Sequence, residues 1–195
     1  MSRPPPEAVA ILAFWFGTED EPAFCTPRAL WFRADAAFDR AVGAHCQALH
    51  LEAAAGRLDH WADTPLGCLA LLILLDQAPR NLFRGTPRAY ATDRQALAHA
   101  RAAVDAGFDR PLRPVQRWFI YLPFEHSETL ADQARSVALF EALKDDSASA
   151  AALDSVRRHH EIIARFGRFP HRNAILGRVS TPAEEAFLKE PNSSF

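Results

Sequence analysis

Residues Pro65–Gln77 read PLGCLALLILLDQ, and this stretch decides the fold. It is apolar almost all round, so a helix here has no face to offer to water and belongs at the centre of a core. Its longest unbroken apolar run, Cys68 to Leu75, is less than half of the ~20 residues that a membrane span requires. Pro65 suits a first turn, and Pro79 stands just past the predicted end. Asp76 closes the apolar run at the negative end of the helix dipole. A carboxylate buried there needs a cation. Arg80 and Arg84 are near in sequence, while Arg168 and Arg172 have to come from elsewhere in the fold.

Working outward, nearly every other segment carries a 3.6-residue period, and none alternates convincingly with period two. Helices are predicted over Pro4–Phe16, ending at Gly17, and over Pro27–Ala55, with Trp31, Phe38, Val42, Leu49 and Ala53 on one stripe. Thr86-Pro87 opens a helix that runs to Gly107. A short aromatic helix covers Pro114–Leu122, and Ser127 caps a helix reaching Lys144. Asp145–Ala148 reads as a polar linker, Ala150–Phe166 as a helix, and Thr181-Pro182 opens the last one, to Lys189. Short turns between helices favour antiparallel hairpins. The expectation is one all-α domain over residues 1–195, with roughly eight to nine helices.

The formal net charge is −2 over 195 residues and the sequence pI is about 6.4, with no basic tail, which speaks against a nucleic-acid partner. Cys25, Cys46 and Cys68 are far apart and form no CxxC pair, a pattern of free thiols in a reducing compartment rather than of disulfides or structural zinc. The N-terminus reads as an amphipathic helix rather than a signal peptide. These features predict a cytoplasmic protein without membrane association. No phosphate-loop, HExxH, GxSxG or Cys/His metal pattern occurs, so no cofactor is predicted.

Function is most visible where a polar side chain falls on an apolar helical face. Asp35 and Asp39, Asp93, Gln133 and His159 do so, and Asp76 joins them. The stretch RFGRFPHRNAILGR, residues 165–178, adds arginines, a histidine and an asparagine among aromatic and aliphatic residues. Gly167, Pro170 and Gly177 bracket a short predicted helix, His171–Leu176, whose N-terminus would favour an anion. In PFEHSE, Glu125, His126 and Glu128 surround a predicted helix start. So many inward polar groups on different helices imply one shared polar cavity.

LLDQAPRNLFRGT (74–86), LPFEHSE (122–128) and RFGRFPHRNAILGR together resemble the signatures of a bacterial family known as domain of unknown function nine-two-four. Trp31-Phe32, Phe38-Asp39, Leu58 with Trp61, Ala91-Thr92-Asp93, Asp132-Gln133 and the Thr-Pro-Ala-Glu-Glu start of the last helix also match. Ala78 departs from it, in place of a bulky apolar residue. The resemblance covers essentially the whole chain and implies a TPR-like fold of stacked helix hairpins, with no established activity. The polar residues it carries over are Asp76, Gln77, Arg80, Asn81, Glu125, His126, Glu128, Gln133, His159, Arg168, His171, Arg172 and Asn173.

Four readings of this set follow. The first is a pocket for an anionic small molecule, with His126 or His159 as general acid or base oriented by Glu125 or Asp76. Asp76, Gln77, Arg80, Asn81, Glu128, Gln133, Arg168, His171, Arg172 and Asn173 would then bind the ligand. The second is a peptide-binding groove of the TPR kind. The third is a metal site drawn from Asp76, Glu125, His126, Glu128, His159 and His171, although no pair sits at i, i+4. The fourth is a purely structural network. Trp15, Trp31 and Trp118 are expected in the core, with a homo-oligomer interface as the other use for them.

Overall fold

The computed structural model describes residues 3–191 and Ser193. Among them every regular element is helical: α1 (Pro6–Phe16), α2 (Ala36–Ala54), α3 (Pro65–Leu72), α4 (Ala78–Leu82), α5 (Asp93–Asp105), α6 (Pro114–Glu125), α7 (Leu130–Glu141), α8 (Ser147–Phe166) and α9 (Pro182–Phe187), with short 3-10 turns between several of them. A π turn, Ile73–Gln77, joins α3 to α4, so the apolar segment continues as one rod. This rod is the centre of the fold, and α1, α2, α5 and α6 all pack on it. The all-α expectation holds. Consecutive helices α5, α6, α7 and α8 pack in sequence on one another.

Pro79 does not end the helix as predicted. Within the π turn the Ala78 N–H reaches back to the Ile73 carbonyl, passing over Leu74. Pro79 has no N–H for Leu75. Two buried carbonyls therefore lose their normal donors, and side chains replace them: His50 Nδ1 lies 2.9 Å from Leu74 O, and Thr92 Oγ1 lies 2.5 Å from Leu75 O. Burial keeps the His50 imidazole below its usual pKa, consistent with a neutral ring donating through Nδ1. Asp76 thus sits inside a continuing rod, and the predicted conflict with a helix C-terminus does not arise.

Several other boundaries differ for local reasons. Asp35 is not a polar intruder on an apolar face; its carboxylate caps α2 by accepting from the Ala37 and Phe38 N–H groups, so α2 starts at Ala36 rather than Pro27. The helix expected from Thr86 is a 3-10 turn, Pro87–Tyr90, followed by α5. Glu125 ends α6 instead of preceding a helix, and Pro123 is accommodated inside it. Ser127 does not cap α7; its Oγ donates to Asp132, and Thr129 precedes the helix. Asp146 caps α8 at Ser147, which shortens the polar linker. The short helix predicted at 171–176 is only a 3-10 turn, Pro170–Arg172, too short to act as an anion-binding dipole.

The core carries an aromatic cluster. Phe119 meets Trp31 at 5.0 Å, Phe16 at 5.3 Å and Trp15 at 5.8 Å between ring centroids. Trp118 is buried and donates to Ser149 Oγ at 2.7 Å. All three tryptophans singled out from the sequence are therefore core residues. Ile162, Ile163, Phe169 and Phe187 form a second, smaller cluster, which fastens the C-terminal segment to α8. Cys46 and Cys68 are packed in the main core, where burial pushes both thiols up to about 12. Arg168 and Glu184 pair through two contacts of 2.6 and 2.7 Å and hold α9 in place.

The substitution Thr92→Val keeps the shape of the side chain and removes the donor to Leu75 O. It is expected to cost about 1–3 kcal/mol, the price of an unsatisfied buried carbonyl, read from urea denaturation midpoints at unchanged m-value.

Candidate functional site

Where the π turn, α6, α8 and the 170–172 turn converge there is a cavity of about 670 Å³. The rod contributes Gln77, Arg80 and Asn81; α6 contributes Trp118, Leu122 and Glu125, followed by His126; α8 contributes Ser155 and His159; the C-terminal segment contributes His171, Arg172 and Ile175. Exposed Phe32, Arg33 and Arg84 mark its mouth. A smaller recess of about 400 Å³ backs onto it, and Tyr90, His126 and Arg172 line both.

Asp76 lies behind this wall, 1% exposed. Its Oδ1 is 2.8 Å from His126 Nδ1 and 3.4 Å from Arg80 Nη1, and its Oδ2 accepts from Gln77 Nε2 at 2.6 Å. Burial alone would raise this carboxyl, but Arg80 and His126 hold it well below the usual carboxylate range. The expected arginine partner is Arg80. On its other side Arg80 forks onto Asp93, at 3.0 and 3.1 Å. Burial, then the charge of Arg80, depress the His126 pKa against the pull of Asp76. The ring is therefore neutral near pH 7, with its Nδ1–H directed at Asp76.

A second carboxylate–imidazole pair lines the same cavity. Glu125 Oε1 is 2.9 Å from His159 Nδ1, which also lies 2.9 Å from the Ser155 carbonyl. Burial would raise Glu125, but His159 holds it below its ordinary value. His171 is kept down at about 4 by burial, by Arg172 and by His159, so this ring too is neutral.

The arginines divide clearly. Arg84 is answered by Asp39, Arg168 by Glu184, Arg178 by Glu128, and Arg80 by Asp76 and Asp93. Arg172, 6% exposed, has no carboxylate to itself. Its Nη1 donates to the His126 carbonyl at 3.1 Å and stands 3.6 Å from Asp93, whose two oxygens already take Arg80. Its Nε has no partner. Its guanidinium is packed near Phe169 and Tyr90, 4.4 and 4.8 Å from the ring centroids. Burial and Arg80 lower its pKa, yet a guanidinium remains charged at any working pH.

Of the thirteen residues carried over from the sequence, eight line the cavity: Gln77, Arg80, Asn81, Glu125, His126, His159, His171 and Arg172. Asp76 supports them from behind. The others are elsewhere. Glu128 faces the smaller recess, takes Arg178 and accepts the Phe169 N–H. Gln133 is buried and donates to the carbonyls of Glu125 and Ser127, closing the end of α6. Asn173 joins Ser180 and Arg178, and Arg168 serves α9. Among the described residues no group of three or more His, Cys, Asp or Glu is placed to hold a metal ion, so the metal reading finds no constellation. Asp93 is the residue most underrated from sequence: its place on an apolar face was visible, but not that it joins Arg80 to Arg172.

The sequence of residues 11–192 matches the family described as bacterial protein of unknown function (DUF924). The chain belongs to this family. A solved structure of a protein of unknown function from Agrobacterium tumefaciens is similar to it with a TM-score of 0.81. The two are 40% identical, over 93% of this chain and 96% of that one. No curated protein matches. No helix among the described residues is long and apolar enough to cross a membrane.

These pKa directions set how stability responds to acid. His171, His126 and His50 are depressed, so between about pH 4 and 6.5 the unfolded chain binds more protons than the folded one. Asp76, Glu125 and Glu184 are also depressed, and their contribution, present above pH 4.5, is lost as pH falls further. Both effects have one sign. Unfolding free energy is expected to fall steadily from pH 7 to pH 3, and His171→Gln to flatten its upper part, between pH 6.5 and 4, in denaturant titrations.

Proposed function

We propose that the cavity binds a small molecule carrying one anionic group, with Arg172 as its anchor. The observation behind this reading is the guanidinium of Arg172, buried at the cavity wall, which only shares Asp93 with Arg80 at 3.6 Å, while Arg84, Arg168 and Arg178 each have a carboxylate of their own. A buried cation without a full counter-charge is costly, and a bound carboxylate or phosphate oxygen would complete it. Trp31, Trp118, Leu122 and Phe140 line the remainder of the space, which suits an apolar body on the same ligand. Glu125, His126 and His159 are the groups with acid–base capacity beside it. The protein is taken as one cytoplasmic domain with stacked TPR-like hairpins.

A structural network is the second reading, favoured by how many of the charges pair internally. A peptide groove has less behind it, because the polar residues wall a recess among helices.

Calorimetric titration with hexanoate, phosphate and sulfate separates these. Binding of at least one of them to the wild type, weakened 10- to 100-fold in Arg172→Ala, is expected for loss of a charge-assisted pair of about 1.5–3 kcal/mol. Equal affinity in both proteins would remove Arg172 from the role. No binding to either would leave the structural network.

A further inference from the structure

His126 has a feature that anion binding does not require. Its Nδ1 faces an ionised carboxylate, Asp76 Oδ1 at 2.8 Å, which only accepts hydrogen bonds. Nδ1 therefore carries the hydrogen and Nε2 carries the lone pair. Among the described residues Nε2 makes no hydrogen bond, and it is not one of the sealed, unpartnered polar atoms, so its lone pair is open to the space His126 lines, the cavity and the recess that backs onto it. Asp76 is itself immobilised by Gln77 and Arg80. A buried acid that fixes the tautomer of an imidazole, whose other nitrogen looks into a cavity, is the arrangement of a general base. The side chain of Arg172 bonds the backbone carbonyl of this same histidine at 3.1 Å, so base and cation are neighbours.

We infer that the cavity hydrolyses a carboxylic ester with an apolar acyl chain, using His126 Nε2 as general base toward water and Arg172 as receptor for the oxyanion. This rests on the anion-binding reading, because the carboxylate product and the oxyanion occupy one place. Three observations favour an ester. The aromatic and aliphatic lining accepts an uncharged substrate. A guanidinium that only shares a carboxylate, Arg172 with Asp93, matches the single negative charge that develops on a carbonyl oxygen. Ser155, the aliphatic hydroxyl at the cavity wall, donates to Glu125 Oε1 at 3.3 Å rather than to an imidazole, which favours water as the nucleophile.

In the step, Nε2 takes a proton from water as the water oxygen bonds to the carbonyl carbon, and the π electrons move onto the carbonyl oxygen beside Arg172. The C=O bond then re-forms and the ester C–O bond breaks. The departing alkoxide takes the proton from Nε2–H and leaves as alcohol. The acid ionises, releasing one proton to solvent. Asp76 is a positioning residue in this scheme. Asp76, Arg80, Asp93 and Glu125 all act on the charge of His126, with Arg172 beside it, and its basicity is the resultant of the set.

The test follows hydrolysis of p-nitrophenyl hexanoate by wild type, His126→Gln and Asp76→Asn across pH 4.5–8, with hexanoate binding measured in parallel and circular dichroism confirming the fold. Wild-type kcat/KM is expected to rise through an acid limb below pH 6.5. His126→Gln should lose at least 100-fold in kcat/KM and hold hexanoate within threefold. Asp76→Asn, by removing the charge that raises His126, should move the acid limb to lower pH; if that variant does not fold, the His126→Gln comparison decides. Hexanoate binding with no hydrolysis above the His126→Gln level overturns catalysis and leaves the binding reading standing. Failure of hexanoate to bind together with absence of hydrolysis removes the ester reading, and the phosphate and sulfate titrations then decide the anion-binding reading.

Discussion

The structure depends on one constraint: an ionised carboxylate, Asp76, is held in the middle of its most apolar helix. The residues before it, Leu69 to Leu75, are fully buried. A charge placed there has to be met by charge and hydrogen bonds from other elements. Arg80 answers from the next turn, His126 from the end of α6, and Gln77 from beside it. Arg80 then draws in Asp93 from α5, and Asp93 reaches Arg172 from the C-terminal segment. Four distant parts of the chain are tied together because of one buried acid. The cavity is the space these ties enclose.

The π turn is what makes the arrangement possible. One extra residue in the helical turn, followed by Pro79, frees the carbonyls of Leu74 and Leu75, and two side chains from α2 and the start of α5 fill them. Such turns are frequent at functional sites because they rotate the residues that follow out of the regular helical register. Here those residues are Arg80 and Asn81, which with Gln77 of the turn itself form the rod's polar contribution to the wall, while Asp76 stands behind it. Stability and site geometry therefore share the same hydrogen bonds.

Much of this was legible in the sequence, and the limits have physical causes. A stretch apolar almost all round identified the central rod, and the cost of burying Asp76 demanded an arginine, which is Arg80. Inward-facing polar residues on separate helices pointed to a shared cavity, and of the thirteen that the family resemblance carried over, eight line it. Pro79 misled because a proline normally stops a helix, and whether two distant side chains will satisfy the freed carbonyls cannot be seen locally. Asp35 misled because a helical wheel assumes the helix has already begun; as an N-cap it points along the axis. Gln133, Arg168 and Asn173 have the chemistry of ligand groups, but each is consumed by a local task, closing a helix end or fixing the C-terminal segment. Pairing of that kind is a tertiary fact.

In the proposed site Asp76 fixes His126 as a neutral imidazole with its lone pair directed into an anion-accepting cavity. Nitrogen-15 NMR of histidine-labelled protein tests it most directly. At pH 7 His126 is expected to show a protonated Nδ1 and an unprotonated Nε2, with the Nε2 resonance shifting when hexanoate is added. An Nε2–H tautomer, an imidazolium, or a resonance indifferent to a ligand that is shown to bind would contradict it.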